Sequence, residues 1–213
     1  MTGTITMNTV IHGAVRRDLD RLAAALEALP AGDTARARDL ARAFANLRRE
    51  LTHHHEGEDT HVYPWLEREG LVPDLLPAMA AEHTAMAEAL AATDVALRAL
   101  AEGGSADDLA AARASVARTR AAVDEHLDHE EADVEPVVVP LMATPGWQRV
   151  EKQLRSQPVG VAGPFFAWLT DGMREEHRAH LRATVPAPVV FVLSRVFGRR
   201  YRREVAPVWG RAT

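Results

Sequence analysis

Four histidines and two glutamates occupy matched positions in this chain, and side chains of those types could hold a pair of metal ions. The stretch His54-His55-Glu56-Gly57-Glu58-Asp59-Thr60-His61-Val62-Tyr63-Pro64 returns 72 residues later as His126-Leu127-Asp128-His129-Glu130-Glu131-Ala132-Asp133-Val134-Glu135-Pro136. Both copies read His-x-x-x-Glu-acid-x-x-Val-x-Pro. A second pair repeats at an offset of 71 residues: His12-Gly13-Ala14-Val15 leads to Leu19, and His83-Thr84-Ala85-Met86 leads to Leu90. The chain therefore holds two copies of one unit, a helix carrying one His followed by a helix carrying His-x-x-x-Glu. The expected ligands are His12, His54, Glu58, His83, His126 and Glu130, in a two-metal site with pseudo-twofold symmetry.

Burying polar side chains costs free energy unless they are paired. A lone His on an apolar face is more often a satisfied core residue than a ligand. Six ionisable groups at one depth of one core are different, because their protonation states conflict and multivalent cations resolve the conflict. The chain has no Cys, which excludes thiolate ligands, disulfides and thiol catalysis. Imidazole and carboxylate together fit iron, with manganese or zinc left open. Even if both glutamates bridge, the six side chains do not complete two octahedral shells. Open positions mark a reactive site rather than a structural one.

The elements that must position these groups are legible as apolar stripes at helical spacing. Val15, Leu19, Leu22, Leu26 and Leu29 predict a first helix from about Asn8 to Leu29, with His12 on the same stripe. Pro30-Ala31-Gly32 breaks it, and Asp33 or Thr34 can cap the next. Leu40, Phe44, Leu47, Leu51, His54 and Glu58 alternate in steps of four and three, so His54 and Glu58 lie one turn apart on one face. Pro64 is expected to kink or end this helix just past the site, as Pro136 does in the second copy. Leu76, Met79, His83, Met86, Leu90, Leu97 and Leu100 predict a third helix, which Gly103-Gly104 stop. Ser105-Ala106-Asp107-Asp108 resembles a capping box. Leu109, Ala112, Val116, Thr119, Val123, His126 and Glu130 predict the fourth. Short connections imply an all-α, up-down-up-down four-helix bundle over residues 1–142. In each antiparallel hairpin the single His then meets the His-x-x-x-Glu at one depth.

Residues 143–213 read as a basic helical extension packed on the bundle. Pro145 to Arg155 predicts a short helix and Gln157 to Pro164 a loop. Phe165 to Arg182 predicts a helix, and Val189 to Phe197 a last apolar segment that ends in Gly198-Arg199-Arg200-Tyr201-Arg202-Arg203. Packing against the bundle is favoured for that segment, with an interfacial amphipathic helix as the alternative. The front carries 13 Lys/Arg against 25 Asp/Glu and the extension 12 against 5. The acidic front argues against nucleic-acid binding. The longest uncharged stretch is too short and too broken by Pro and Gly to span a bilayer. Met1 to Val10 lacks a basic n-region and an apolar core, so no signal peptide is expected and the cytoplasm is the default.

Taken together, His12, His54-x-x-x-Glu58-Asp59-x-x-Val62-Tyr63-Pro64, His83 and His126-x-x-x-Glu130-Glu131-x-x-Val134-x-Pro136 resemble the hemerythrin-like, or HHE cation-binding, family. The resemblance runs from about His12 to Pro136. It implies a non-haem centre of two Fe ions, oxo- or hydroxo-bridged, that binds dioxygen or related small ligands. Oxygen-carrying members have five His, two of them four apart on the third helix, whereas Met79 and Ala87 flank His83 at that distance here. A four-His, two-Glu set implies redox chemistry rather than reversible oxygen carriage. A diiron oxidoreductase breaking down hydrogen peroxide is the favoured expectation, and an oxygen, nitric oxide or iron sensor is the alternative. Net reduction would require an electron-donor protein.

The remaining polar residues carry weaker expectations. His61 and its repeat partner Asp133 could orient a ligand, or simply face water. Tyr63 could fill an open iron position or act in redox, but its phase points away from His54, and packing beside Pro64 is the alternative. Glu82 is expected at the surface. Glu56, Asp59 and Glu131 could bind at the rim of the site, with solvated charges as the favoured reading, and Glu131 also offers the His-x4-acid spacing found on the fourth helix of the oxygen carriers. His53, His55 and His129 fall off the main stripe, towards water or a helix seam. His177 and His180 are read as helix-surface residues.

Overall fold

A computed structural model describes residues 4–210. α1 (Met7–Ala28) begins with a reciprocal Thr6/Thr9 capping box. α2 (Thr34–Gly57) is capped by Asp33, whose side chain accepts from the Arg36 amide. α4 (Leu76–Gly103) ends on Gly104 in the left-handed conformation, and α5 (Ala106–His129) starts at a Ser105/Asp108 capping box. These caps satisfy backbone groups that a helix terminus leaves unpaired.

α2 and α5 do not stop at the His-x-x-x-Glu motif. Each passes into one π turn, Glu58–Val62 and Glu130–Val134, and resumes as α3 (Tyr63–Arg68) or α6 (Glu135–Val138). The amide of Tyr63 donates to the Glu58 carbonyl, and that of Glu135 to the Glu130 carbonyl. Pro64 and Pro136 explain the widening. A proline lacks its own amide, and its ring crowds the carbonyl four residues back. One extra residue in the turn relieves that crowding and lets the helix continue. The expected kink or stop is therefore a π turn, in both copies.

α1, α2, α4 and α5 form the bundle. α4 packs on α2 and α5, and α1 on α5 and α2. The stripe residues Val15, Leu19, Leu22, Leu26, Leu40, Phe44, Leu47, Leu51, Met79, Met86, Leu90, Leu97, Leu100, Ala112, Val116 and Val123 are all buried. Each large one contributes about 1.5–3 kcal/mol by leaving water. Thr93, Ser115 and Thr119 are buried as well, and their hydroxyls satisfy one another in a chain that ends on the Ala89 carbonyl.

The extension follows as α7 (Pro145–Arg155), α8 (Val159–Thr170), α9 (Glu175–Thr184), α10 (Ala187–Val192) with a π turn at Leu193–Phe197, α11 (Arg199–Glu204) and α12 (Ala206–Trp209). Two expectations fail here. The stretch 157–164 is largely helical, with Pro164 inside α8. The span 165–182 is broken at Asp171-Gly172, where Gly172 takes φ 65°. The extension docks on α1 through Trp168, which is fully buried and donates from Nε1 to Oδ2 of the equally buried Asp18 at 2.9 Å. Arg17 donates to Oδ1 of Asp18 at 2.8 Å and to the Trp168 carbonyl at 3.1 Å. A buried carboxylate with both oxygens bonded avoids the cost of an unpaired charge. No helix of the described residues is long and apolar enough to cross a membrane.

Candidate metal centre

The fold brings all six expected side chains to one level of the bundle interior, and adds a seventh. His12, His83, His126, Glu58 and Glu130 are buried, and His54 nearly so. Their donor atoms fall into two groups, His12, His54, Glu58 and Glu130 on one side and His55, Glu58, His83 and His126 on the other. Within each group the atoms lie within 4.8 Å of one another. Glu58 belongs to both. Its Oε1 faces His54 Nε2 at 3.2 Å and its Oε2 faces His83 Nε2 at 3.6 Å. Glu130 Oε2 faces His12 Nε2 at 3.3 Å.

His55 is the group that the stripe reading misplaced. It is buried, its ring stacks on that of His83 at 4.1 Å, and it meets His126 edge-on. α2 packs against both α1 and α4, so its buried arc is wide enough for two adjacent positions. A signal was present: Leu47, Leu51 and His55 step by four, just as Leu47, Leu51 and His54 step by four and three. Its repeat partner is Leu127, which is also buried. The fifth imidazole thus breaks the pseudo-twofold symmetry of the side-chain cluster.

Carboxylates outside the cluster orient the rings. His12 Nδ1 donates to Glu131 at 2.8 Å, His83 Nδ1 to Asp59 at 2.9 Å, and His126 Nδ1 to Glu82 at 2.9 Å. An ionised carboxylate only accepts, so each bond keeps a proton on Nδ1 and turns Nε2 towards the centre. Glu131 is steadied by Arg16 at 2.6 Å, and Glu82 also accepts from His129 at 2.7 Å. Asp59, Glu82 and Glu131, expected in solvent, are the partners of the site. The first and third cross between the repeats: the acid that follows Glu58 holds the His of the second copy, and the acid that follows Glu130 holds the His of the first.

The mutual geometry of the donor atoms fits a bound cation. His83 and His126 direct two bare Nε2 lone pairs at each other across 3.2 Å, and His12 and His54 place their Nε2 atoms at the same separation. Two nitrogens bound at ~2.1 Å and a right angle to one ion stand about 3.0 Å apart. His55 Nε2 and Glu58 Oε2 are buried without a hydrogen-bond partner. Protons fill the role of a cation badly. Burial and neighbouring imidazoles push the His54 pKa down to about 3 and that of His55 well below 6.5. Burial and the Glu130 charge push Glu58 well up. Burial opposes ionisation of Glu130, but the His12 hydrogen bond and the surrounding imidazoles hold it below the usual range. Burial lowers the His12 pKa, yet bonds to Glu130 and Glu131 outweigh it and raise it.

Tyr63 also differs from its expected place. It is buried, stacks on His83 at 5.6 Å, and its hydroxyl reaches to 3.5 Å from Glu130 Oε1. The π turn re-aims it: one extra residue rotates everything after Glu58, and a regular-helix phase assigns it to the wrong side. His177 is buried rather than on the surface. It packs against α1 at Gly13, where an added Cβ would lie 2.3 Å from the ring. His61 is half-buried and His180 likewise, and neither approaches the two donor groups.

No curated protein and no solved structure matches the chain. The hemerythrin HHE cation-binding domain matches residues 5–138, which takes in α1 to α6 and every donor described above. With the donor set and the match covering the same residues, the chain belongs to the hemerythrin HHE cation-binding domain family.

Proposed function

We propose that this protein is a non-haem diiron protein that binds and reacts with a small oxygen ligand, dioxygen or hydrogen peroxide. The observation that carries the reading is the unequal pair of donor groups sharing Glu58. His55, His83, His126 and Glu58 would hold one iron, and His12, His54, Glu58 and Glu130 the other. Two irons held there would supply electron transfer to or from that ligand. The apolar stripes around the donors exclude bulky substrates. The bundle, residues 1–142, would be the reacting unit, and residues 143–213 an extension docked on it.

Adding His55 weakens the ligand-count argument against reversible oxygen binding. Turnover of hydrogen peroxide is still favoured, because the site has groups placed to handle protons. Tyr63 holds an O–H proton beside Glu130, and its pKa is pushed up by burial and by the Glu130 and Glu58 charges. His12 holds an Nδ1 proton against Glu131, which reaches a surface cleft lined by Arg16, Glu135 and His177. An inert sensor needs neither.

The first test is metal content and the optical spectrum of the aerobically purified protein. About two irons per chain with a near-ultraviolet oxo-bridge absorption supports the reading. Zinc or no metal, persisting after anaerobic iron loading, overturns it. Sustained oxygen evolution from peroxide, abolished in His54→Ala, then separates turnover from a sensor, which gives a stable adduct.

A further inference from the structure

The C-terminal extension carries an apolar surface that the fold leaves uncovered. From Ala187 to Phe197 the chain is helical, and no residue of this run is buried. Val189, Phe191, Val192, Val196 and Phe197 are exposed, Phe191 by 62%. Val159 and Val161 at the start of α8 are exposed too. α8 packs on the π turn Leu193–Phe197, so the two elements present one patch. Their crossing is close. A Cβ on Gly163 would sit 2.3 Å from Phe197 Cβ, which holds the patch as a fixed relief.

The charge around this patch has one sign. From Pro186 to Arg203 the sequence contains five Arg and no Asp or Glu. The Arg195 guanidinium lies over the Phe191 ring at 5.9 Å. Arg199, Arg200, Arg202 and Arg203 are exposed, and among the described residues Arg200 alone of these pairs with an acid, Glu204. An exposed apolar helix flanked by arginines matches an anionic lipid interface, where the apolar side chains enter the acyl boundary and the guanidiniums meet the headgroups. A second copy of the chain is a poorer occupant. A twofold contact would set the five arginines against their own copies. A head-to-tail contact would need an apolar counterpart on the bundle, where Val95 is the one large apolar residue exposed among the described residues.

We propose that the extension binds peripherally to anionic lipid surfaces through Phe191, Val192, Val196 and Phe197 with the flanking arginines. This inference does not depend on the identity of the metal.

The experiment is vesicle co-sedimentation of the full chain, with pure phosphatidylcholine and with phosphatidylcholine containing phosphatidylglycerol. Binding to the anionic vesicles should exceed binding to the neutral ones by roughly tenfold or more, and should fall in about 0.5 M salt. Phe191→Ser should weaken it by roughly tenfold, and the pair Arg199→Gln and Arg203→Gln by a similar factor. Both variants should keep the wild-type metal content and melting temperature, which shows that the fold is intact. Equal partition onto the two vesicle types, no partition onto either, or binding unaffected by Phe191→Ser overturns the proposal. So does a concentration-dependent dimer that Phe191→Ser dissociates without any vesicle binding, which would make the patch a self-association surface.

Discussion

At the scale of single residues, His55 separates two readings of the centre. If it is a ligand, His55→Ala should lower bound metal from about two ions per chain to about one, because one group loses a third of its imidazoles. His53→Ala, one residue further from the buried arc, should change nothing. Equal metal content in the two variants, by elemental analysis, would return His55 to a packing role. The carboxylates that hold the rings make a second prediction. Asp59→Asn and Glu131→Gln leave every donor atom in place but remove the charge that fixes the Nδ1 proton. Metal affinity should drop by about 10–100-fold in each, measured by competition with a chelator. Unchanged affinity would mean that the rings are oriented by packing alone.

At the scale of elements, the repeat was readable because each helix keeps its apolar stripe in register with its ligands. What happens past Glu58 and Glu130 was not. A π turn shifts all later phases, so a regular-helix phase points Tyr63 away from a site that it enters. Pro64 and Pro136 stand six residues beyond their glutamates in both copies, and that shared spacing was the available clue. The contact between α1 and α9 offers a test of element packing. Gly13→Ala forces a methyl against the His177 ring and should destabilise the protein by about 1–3 kcal/mol. In the His177→Ala background the same change should instead gain up to about 1 kcal/mol from helix propensity. Denaturant melts of the four proteins give the coupling. Additive effects would show that the ring moves aside at no cost.

At the scale of the whole molecule, the centre concentrates ionisable groups whose pKa values shift in opposite directions. Glu58 and His12 are raised on folding, so their contribution is lost as pH rises. His54, His55 and His126 are lowered, chiefly by burial, so theirs is lost as pH falls below 6.5. Between 4.5 and 6.5 the two sets oppose each other. Above 6.5 those histidines are neutral in both states, and only the falling arm remains. The metal-free protein should therefore lose stability from pH 6.5 upward. The metal-loaded protein should not, because cations replace the extra protons. Melting temperatures against pH, with and without chelator, check this. A metal-free protein that gains stability up to pH 8 would contradict it.

The sequence by itself determined the bundle, its four stripes, the caps at Asp33 and Ser105, and six side chains that meet at one level, because helical periodicity and an internal repeat at an offset of 72 residues are local, one-dimensional signals. Tertiary structure decided the rest. Which of the adjacent His54 and His55 turn inward depends on how many helices α2 touches, and both do. Whether Asp59, Glu82 and Glu131 are solvated or bonded depends on a ring that arrives from another helix. Asp18 is tolerated at full burial because Trp168, 150 residues away in the chain, supplies a donor. None of these has a spacing that announces it, since each is a meeting of residues that only the packing of distant segments brings within reach.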